Sequence, residues 1–121
     1  MRIVYLGTPA DAVPPLEAIV AAGHEVVLVV TQPDRRRSRG EGTTPSPVRA
    51  AAEALGLPVA TPERSREVVD EVAALEADLG VVVAFGQILP TALLDAIPGG
   101  YVNLHFSLLP RWRGEIGRAH V

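Results

Sequence analysis

Glu25-Val26-Val27-Leu28-Val29-Val30-Thr31 holds five successive apolar residues between polar neighbours. A strand with one wet face alternates apolar and polar residues; a strand covered on both faces has no need to. The run therefore predicts a central strand with helices above and below it. Reading outward, Gly23 stands where a C-cap glycine closes a helix. That helix is expected over residues 11–22, with Val13, Leu16, Ile19 and Val20 at helical spacing. Before it, residues 2–6 form a first apolar run, followed at once by Gly7-Thr8-Pro9.

The same alternation continues downstream. Ser46 and Pro47 suit the N-cap and first position of a helix over residues 48–55, which Gly56 ends. Val59-Ala60 reads as a short edge strand, residues 63–75 as a helix, and residues 79–84 as a fourth strand. A short helix over residues 91–96 leads to a fifth strand over residues 101–104. Strand and helix in alternation predict an α/β fold, a doubly wound, Rossmann-like and mainly parallel sheet that breaks off after about five strands. Ligands of such sheets bind beyond the carboxyl ends of the strands. Gly7-Thr8-Pro9, residues 32–44, 85–89 and 105–110 all follow strand ends, so they are expected to converge on one edge.

Composition sets limits on the chemistry. The 121 residues suffice for one core, and with two Phe, two Tyr and one Trp that core is mainly aliphatic. Without cysteine there is no disulfide, thiolate nucleophile or zinc–thiolate site. Met1 leads straight into an apolar strand with no charged leader, and no apolar run reaches bilayer length, so a cytoplasmic protein with no membrane partner is expected. Three scattered histidines imply no metal. The stretch from Gly7 to Ala12 lacks both the G-x-G-x-x-G and the G-x-x-x-x-G-K-[ST] spacing, which argues against a nucleotide cofactor. Gly7 is expected to serve a plain tight turn. The net charge is −3, yet Arg35, Arg36, Arg37 and Arg39 cluster in the polar segment 32–44, which reads as a long exposed loop.

The most informative stretch is Asn103-Leu104-His105-Phe106-Ser107-Leu108-Leu109-Pro110. Asn103 and His105 are two apart, so on an extended strand they face the same way. An amide and an imidazole side by side can donate to an oxygen that gains charge during acyl transfer, and the imidazole can also carry a proton.

With Arg111-Trp112-Arg113-Gly114 appended, this stretch resembles the signature of the folate-dependent formyltransferases. Gly7-Thr8-Pro9, Thr31-Gln32-Pro33-Asp34-Arg35, Thr44-Pro45-Ser46-Pro47-Val48 and Val82-Val83-Ala84-Phe85-Gly86-Gln87-Ile88-Leu89-Pro90 narrow it further. Together they resemble the methionyl-tRNA formyltransferases rather than the glycinamide ribonucleotide branch. The resemblance implies formyl transfer from 10-formyltetrahydrofolate to the amino group of methionyl initiator tRNA, at the start of translation. It implies catalytic roles for Asn103 and His105, and a folate-binding wall from Ser107, Leu108, Leu109 and Pro110 facing the backbone of Gln87, Ile88 and Leu89. It assigns tRNA binding to Arg35, Arg36, Arg37 and Arg39. Its third catalytic group, an aspartate, and its C-terminal domain would lie past Val121.

Residues 1–114 are accordingly expected to be part of an N-terminal formyltransferase domain, inactive alone and monomeric in full-length form. Residues 115–121 depart from the family pattern and can be encoded by a common sequencing adapter, so they are expected to be a non-native tail. Phe106 stands where the family often has a small residue. Two alternatives stay open: a sister folate-dependent formyltransferase or formyltetrahydrofolate hydrolase, and a non-catalytic fragment that binds folate or RNA.

Overall fold

A computed structural model of the chain describes residues 1–36 and 43–105. Its strands are β1 (Arg2–Gly7), β2 (Glu25–Val30), β3 (Arg35–Arg36), β4 (Thr43–Thr44), β5 (Val59–Ala60), β6 (Leu79–Val83) and β7 (Tyr101–Leu104). Its α-helices are α1 (Val13–Ala21), α2 (Pro47–Ala54), α3 (Val69–Leu75) and α4 (Thr91–Asp95). Five strands form one parallel sheet in the order β5-β2-β1-β6-β7.

The chain thus winds outward from β1 through β2 to β5, then crosses back and continues through β6 to β7. Crossovers between parallel strands are right-handed, so reversing direction moves the helices to the opposite face. The core follows suit. Leu16 of α1 and Val48 and Ala52 of α2 pack with Ile3, Tyr5, Val81 and Val83 on one face. Val72 of α3 and Leu93 of α4 pack with Val4, Leu6, Val82 and Phe85 on the other. Leu16, Val48, Val72 and Leu93 are fully buried, each contributing about 1.5–3 kcal/mol. This is the doubly wound α/β fold expected from the sequence.

β2 carries one irregularity. Its pairing with β1 runs Ile3 to Val26 but Val4 to Leu28, leaving Val27 as an extra residue. Val26 and Val29 therefore face α1 and α2, while Val27, Leu28 and Val30 face α3 and α4.

Helix boundaries differ from expectation chiefly at their starts. A 3-10 turn at Ala10–Ala12 precedes α1, whose Pro14 and Pro15 occupy the first turn, where no N–H is needed. Another 3-10 turn, Ser65–Val68, precedes α3. At α2 the Ser46 hydroxyl accepts the Arg49 N–H at 3.0 Å, as its N-cap position predicts. Gly7 does not serve a left-handed turn. A Cβ there would lie 2.8 Å from the Val83 carbonyl oxygen and 3.0 Å from the Ala12 Cβ, so the glycine permits close packing between β1, β6 and the turn before α1.

The segment read as an open loop contains a short antiparallel ladder, with Arg35 opposite Thr44 and Arg36 opposite Thr43. Its base is braced: the buried Thr31 hydroxyl meets the Ser46 hydroxyl at 2.7 Å, and Arg49 donates to both Asp34 carboxylate oxygens at 2.8 Å. No helix among the described residues is long and apolar enough to cross a membrane.

Candidate active site

The strand order reverses at β1, between β2 on one side and β6 on the other. At such a switch point the flanking connections leave in opposite directions and open a crevice beyond the carboxyl ends. A cleft of about 420 Å³ lies here. Asp11 reaches it from beyond β1, residues 84–87 from beyond β6, and Asn103, Leu104 and His105 from the end of β7.

Asn103 pairs in register with Val82, which places it on strand β7 rather than in a loop. Its side chain is half-buried, while His105, one residue past β7, is exposed. Both line the same cleft, together with Leu104 between them. The cleft is therefore lined by an amide and an imidazole from one edge of the sheet, with Gln87 lining it from across.

The turn after β6 is conformationally costly. Ala84 has φ +51° and Gly86 φ +92°. The left-handed region is natural for glycine but costs a residue with a Cβ on the order of 1–3 kcal/mol. Three polar side chains hold the turn. The Thr8 hydroxyl donates to the Phe85 carbonyl at 2.9 Å and accepts the Gln32 N–H at 3.3 Å. The Gln87 side-chain amide donates to Gln32 Oε1 at 2.9 Å and to the Pro62 carbonyl at 3.4 Å. On the same stretch the Ser65 hydroxyl donates to the Ile88 carbonyl at 2.9 Å.

The residues singled out from the sequence thus divide. Asn103, His105 and Gln87 come together on the cleft. Ile88 is 88% exposed and lines a neighbouring groove with Arg64 and Arg66. The Leu89 side chain is buried in the core, leaving only its backbone to face a ligand. Arg35 and Arg36 lie on β3, in the separate two-stranded ladder, and are not among the residues lining the cleft. Arg37, Arg39, Ser107, Leu108, Leu109 and Pro110, and the tail 115–121, lie outside the described residues. Sequence reading gave no role to Thr8 or Gln32, although both fall within quoted motifs. A polar residue within two positions of each of two strand ends is the available signal. Among the described residues no group of three or more His, Asp or Glu gathers as a metal site.

The formyl transferase family model matches residues 1–120. The chain belongs to the formyl transferase family. Within it, the chain is 62% identical over 117 residues to a methionyl-tRNA formyltransferase of Synechococcus sp. (strain CC9605), covering 94% of this chain and 35% of that protein. It is 59% identical over 115 residues to the Heliobacterium modesticaldum methionyl-tRNA formyltransferase, covering 94% and 36%. The chain thus spans about a third of the length of these curated relatives. Its fold is similar to phosphoribosylglycinamide formyltransferase from Bacillus halodurans, with a TM-score of 0.67 at 20% identity over 92% of this chain and 59% of that one. The Brucella melitensis phosphoribosylglycinamide formyltransferase gives 0.65 at 20% identity, over 94% and 61%. At those identities the likeness speaks for the formyl transferase fold alone.

Proposed function

We propose that this region belongs to a methionyl-tRNA formyltransferase and helps move a formyl group from 10-formyltetrahydrofolate to the amino group of methionyl initiator tRNA. The observation that carries the reading is the pairing of Asn103 and His105 on one cleft at the switch point of a formyl transferase sheet. The names of the similar proteins support methionyl-tRNA as the acceptor.

In this reading the amine lone pair attacks the formyl carbon and the formyl oxygen takes up negative charge. The Asn103 amide and the His105 imidazole donate to that oxygen, an interaction stronger in the transition state than in the ground state. Collapse breaks the bond from the formyl carbon to the folate nitrogen, and the proton lost by the attacking amine ends on that nitrogen. Proton handling would fall to the aspartate that the family resemblance implies. Ser107, Leu108, Leu109 and Pro110 would face the backbone of Gln87, Ile88 and Leu89 across the folate. Arg35, Arg36, Arg37 and Arg39 would meet phosphates of the tRNA acceptor end. The setting would be cytoplasmic, with a monomeric enzyme. Residues 115–121 would be a non-native tail, which the DNA downstream of the Gly114 codon decides.

The test is Met-tRNA formylation by a full-length enzyme carrying residues 1–105 of this chain. Asn103→Ala and His105→Ala should each lower turnover by about 10²-fold or more, the scale of one lost oxyanion donor. Near-normal turnover in both variants would remove the pair from the mechanism.

A further inference from the structure

We propose that Gln32 is a positioning residue that couples the turn at residues 84–87 to the arginine-bearing strand β3, so that filling the cleft stiffens β3. The inference rests on the reading that the cleft receives the folate formyl donor.

The turn cannot owe its shape to its own residues. Ala84 at φ +51° gains nothing intrinsic from the left-handed region, so the conformation is imposed by what surrounds it. Gln32 is a large part of those surroundings. Its Nε2 fills the space beside Gly86, where a Cβ would lie 2.7 Å from it. Its Oε1 accepts the Gln87 side-chain amide at 2.9 Å. Its backbone N–H donates to the Thr8 hydroxyl, which in turn donates to the Phe85 carbonyl.

Gln32 also belongs to a braced segment. Thr31 before it is bonded to Ser46, and Asp34 after it is clamped by both oxygens to Arg49. The chain then enters β3 at Arg35. A ligand that settles against Gly86 and Gln87 therefore loads a short, hydrogen-bonded path into β3. A ligand held by β3 loads the same path in reverse, because coupling between two sites is reciprocal. In a two-substrate reaction this arrangement favours the turn geometry that both substrates require.

Backbone amide exchange of the 121-residue chain, with and without 5-formyltetrahydrofolate as probe, tests this. Added folate should slow exchange at residues 85–87 and also at Arg35 and Arg36, the latter by about fivefold or more, the lower end of ordinary coupling between sites. In Gln32→Met, which keeps the bulk but removes the amide, protection at 85–87 should persist and the response at Arg35 and Arg36 should vanish. An unchanged response there, or none in the unmodified chain despite protection at 85–87, would overturn the proposal. If folate protects nothing, the reading of the cleft fails instead, and the coupling is decided without ligand. Gln87→Met should then speed exchange at Arg35 and Arg36 while leaving residues 26–30 unchanged, and no effect at β3 would reject it.

Discussion

The ring of Tyr101 on β7 lies over Gly80 of β6, and its hydroxyl donates to the Leu93 carbonyl of α4 at 2.6 Å. One aromatic side chain thus ties the last described strand to its neighbour and to the helix that leads into it. Asn103 is two residues further along β7, so its position depends on how Tyr101 seats. A Cβ on residue 80 would collide with the ring, and the ring cannot yield without giving up its bond to α4. Gly80→Ala should therefore cost about 1–3 kcal/mol in chemical denaturation, as overpacking does. Adding Tyr101→Ala should recover part of that loss relative to the sum of the single changes, because the two residues share one contact.

The two tyrosines also set the alkaline limit. Burial pushes the Tyr101 phenol up to about 12 and the fully buried Tyr5 phenol higher still. The unfolded chain releases these protons near pH 10, while the folded chain retains them. Stability from the buried neutral phenols is thus full below about pH 10 and is lost as pH rises through about 12. Thermal midpoints should be insensitive to these groups from pH 7 to 9 and fall from about pH 10 upward. Tyr101→Phe should soften the alkaline fall, and a profile identical to the unmodified chain would show that the phenol ionises without cost.

Ser46 joins two tasks in one hydroxyl, capping α2 and partnering the buried Thr31. Ser46→Ala should cost about 1–2 kcal/mol, combining a lost cap with a stranded buried hydroxyl. Ser46→Thr keeps the oxygen and should recover most of it. Equilibrium unfolding in urea gives both numbers.

The arginines should act on one substrate only. In a full-length enzyme carrying this region, replacing Arg35, Arg36, Arg37 and Arg39 by Ala should raise KM for Met-tRNA and flatten the salt dependence of tRNA binding. Folate affinity should stay nearly unchanged. A fall in folate affinity with unaltered tRNA behaviour would assign the segment to the other substrate.

How legible the molecule is in its sequence depends on the range of each interaction. The strand and helix order was readable because burial on both faces leaves an unbroken apolar run, as in residues 26–30. That same continuity hid the extra residue at Val27: when every position is apolar, slipping by one changes the face of each side chain but not the pattern. The Ser46 cap was readable because it acts three residues away. Gly7 was misjudged because its reason is the Val83 carbonyl on another strand. Asn103 and His105 line one cleft, as their spacing suggested, but His105 lies past the end of β7 and Leu104 lines the cleft too, so alternation along a strand is not the whole reason. The bond from Gln87 to Gln32 crosses 55 residues, and no local rule announces it. The ladder within the arginine segment was missed for a related reason, since Arg35, Arg36, Thr43 and Thr44 lack the apolar alternation that marks a strand.

Because the five strands of the main sheet run the same way, the sheet has a carboxyl end, where the cleft of about 420 Å³ lies, and an amino end. Met1 enters at the amino end, where its carbonyl accepts the Glu25 N–H beside the first residues of β1 and β2. The six residues of β1 then carry the chain about 20 Å toward the cleft, at roughly 3.3 Å each. An affinity tag, fluorophore or surface tether attached through Met1 would therefore hang from the far side of the sheet. Immobilised that way, the molecule would offer its cleft to the bulk solution.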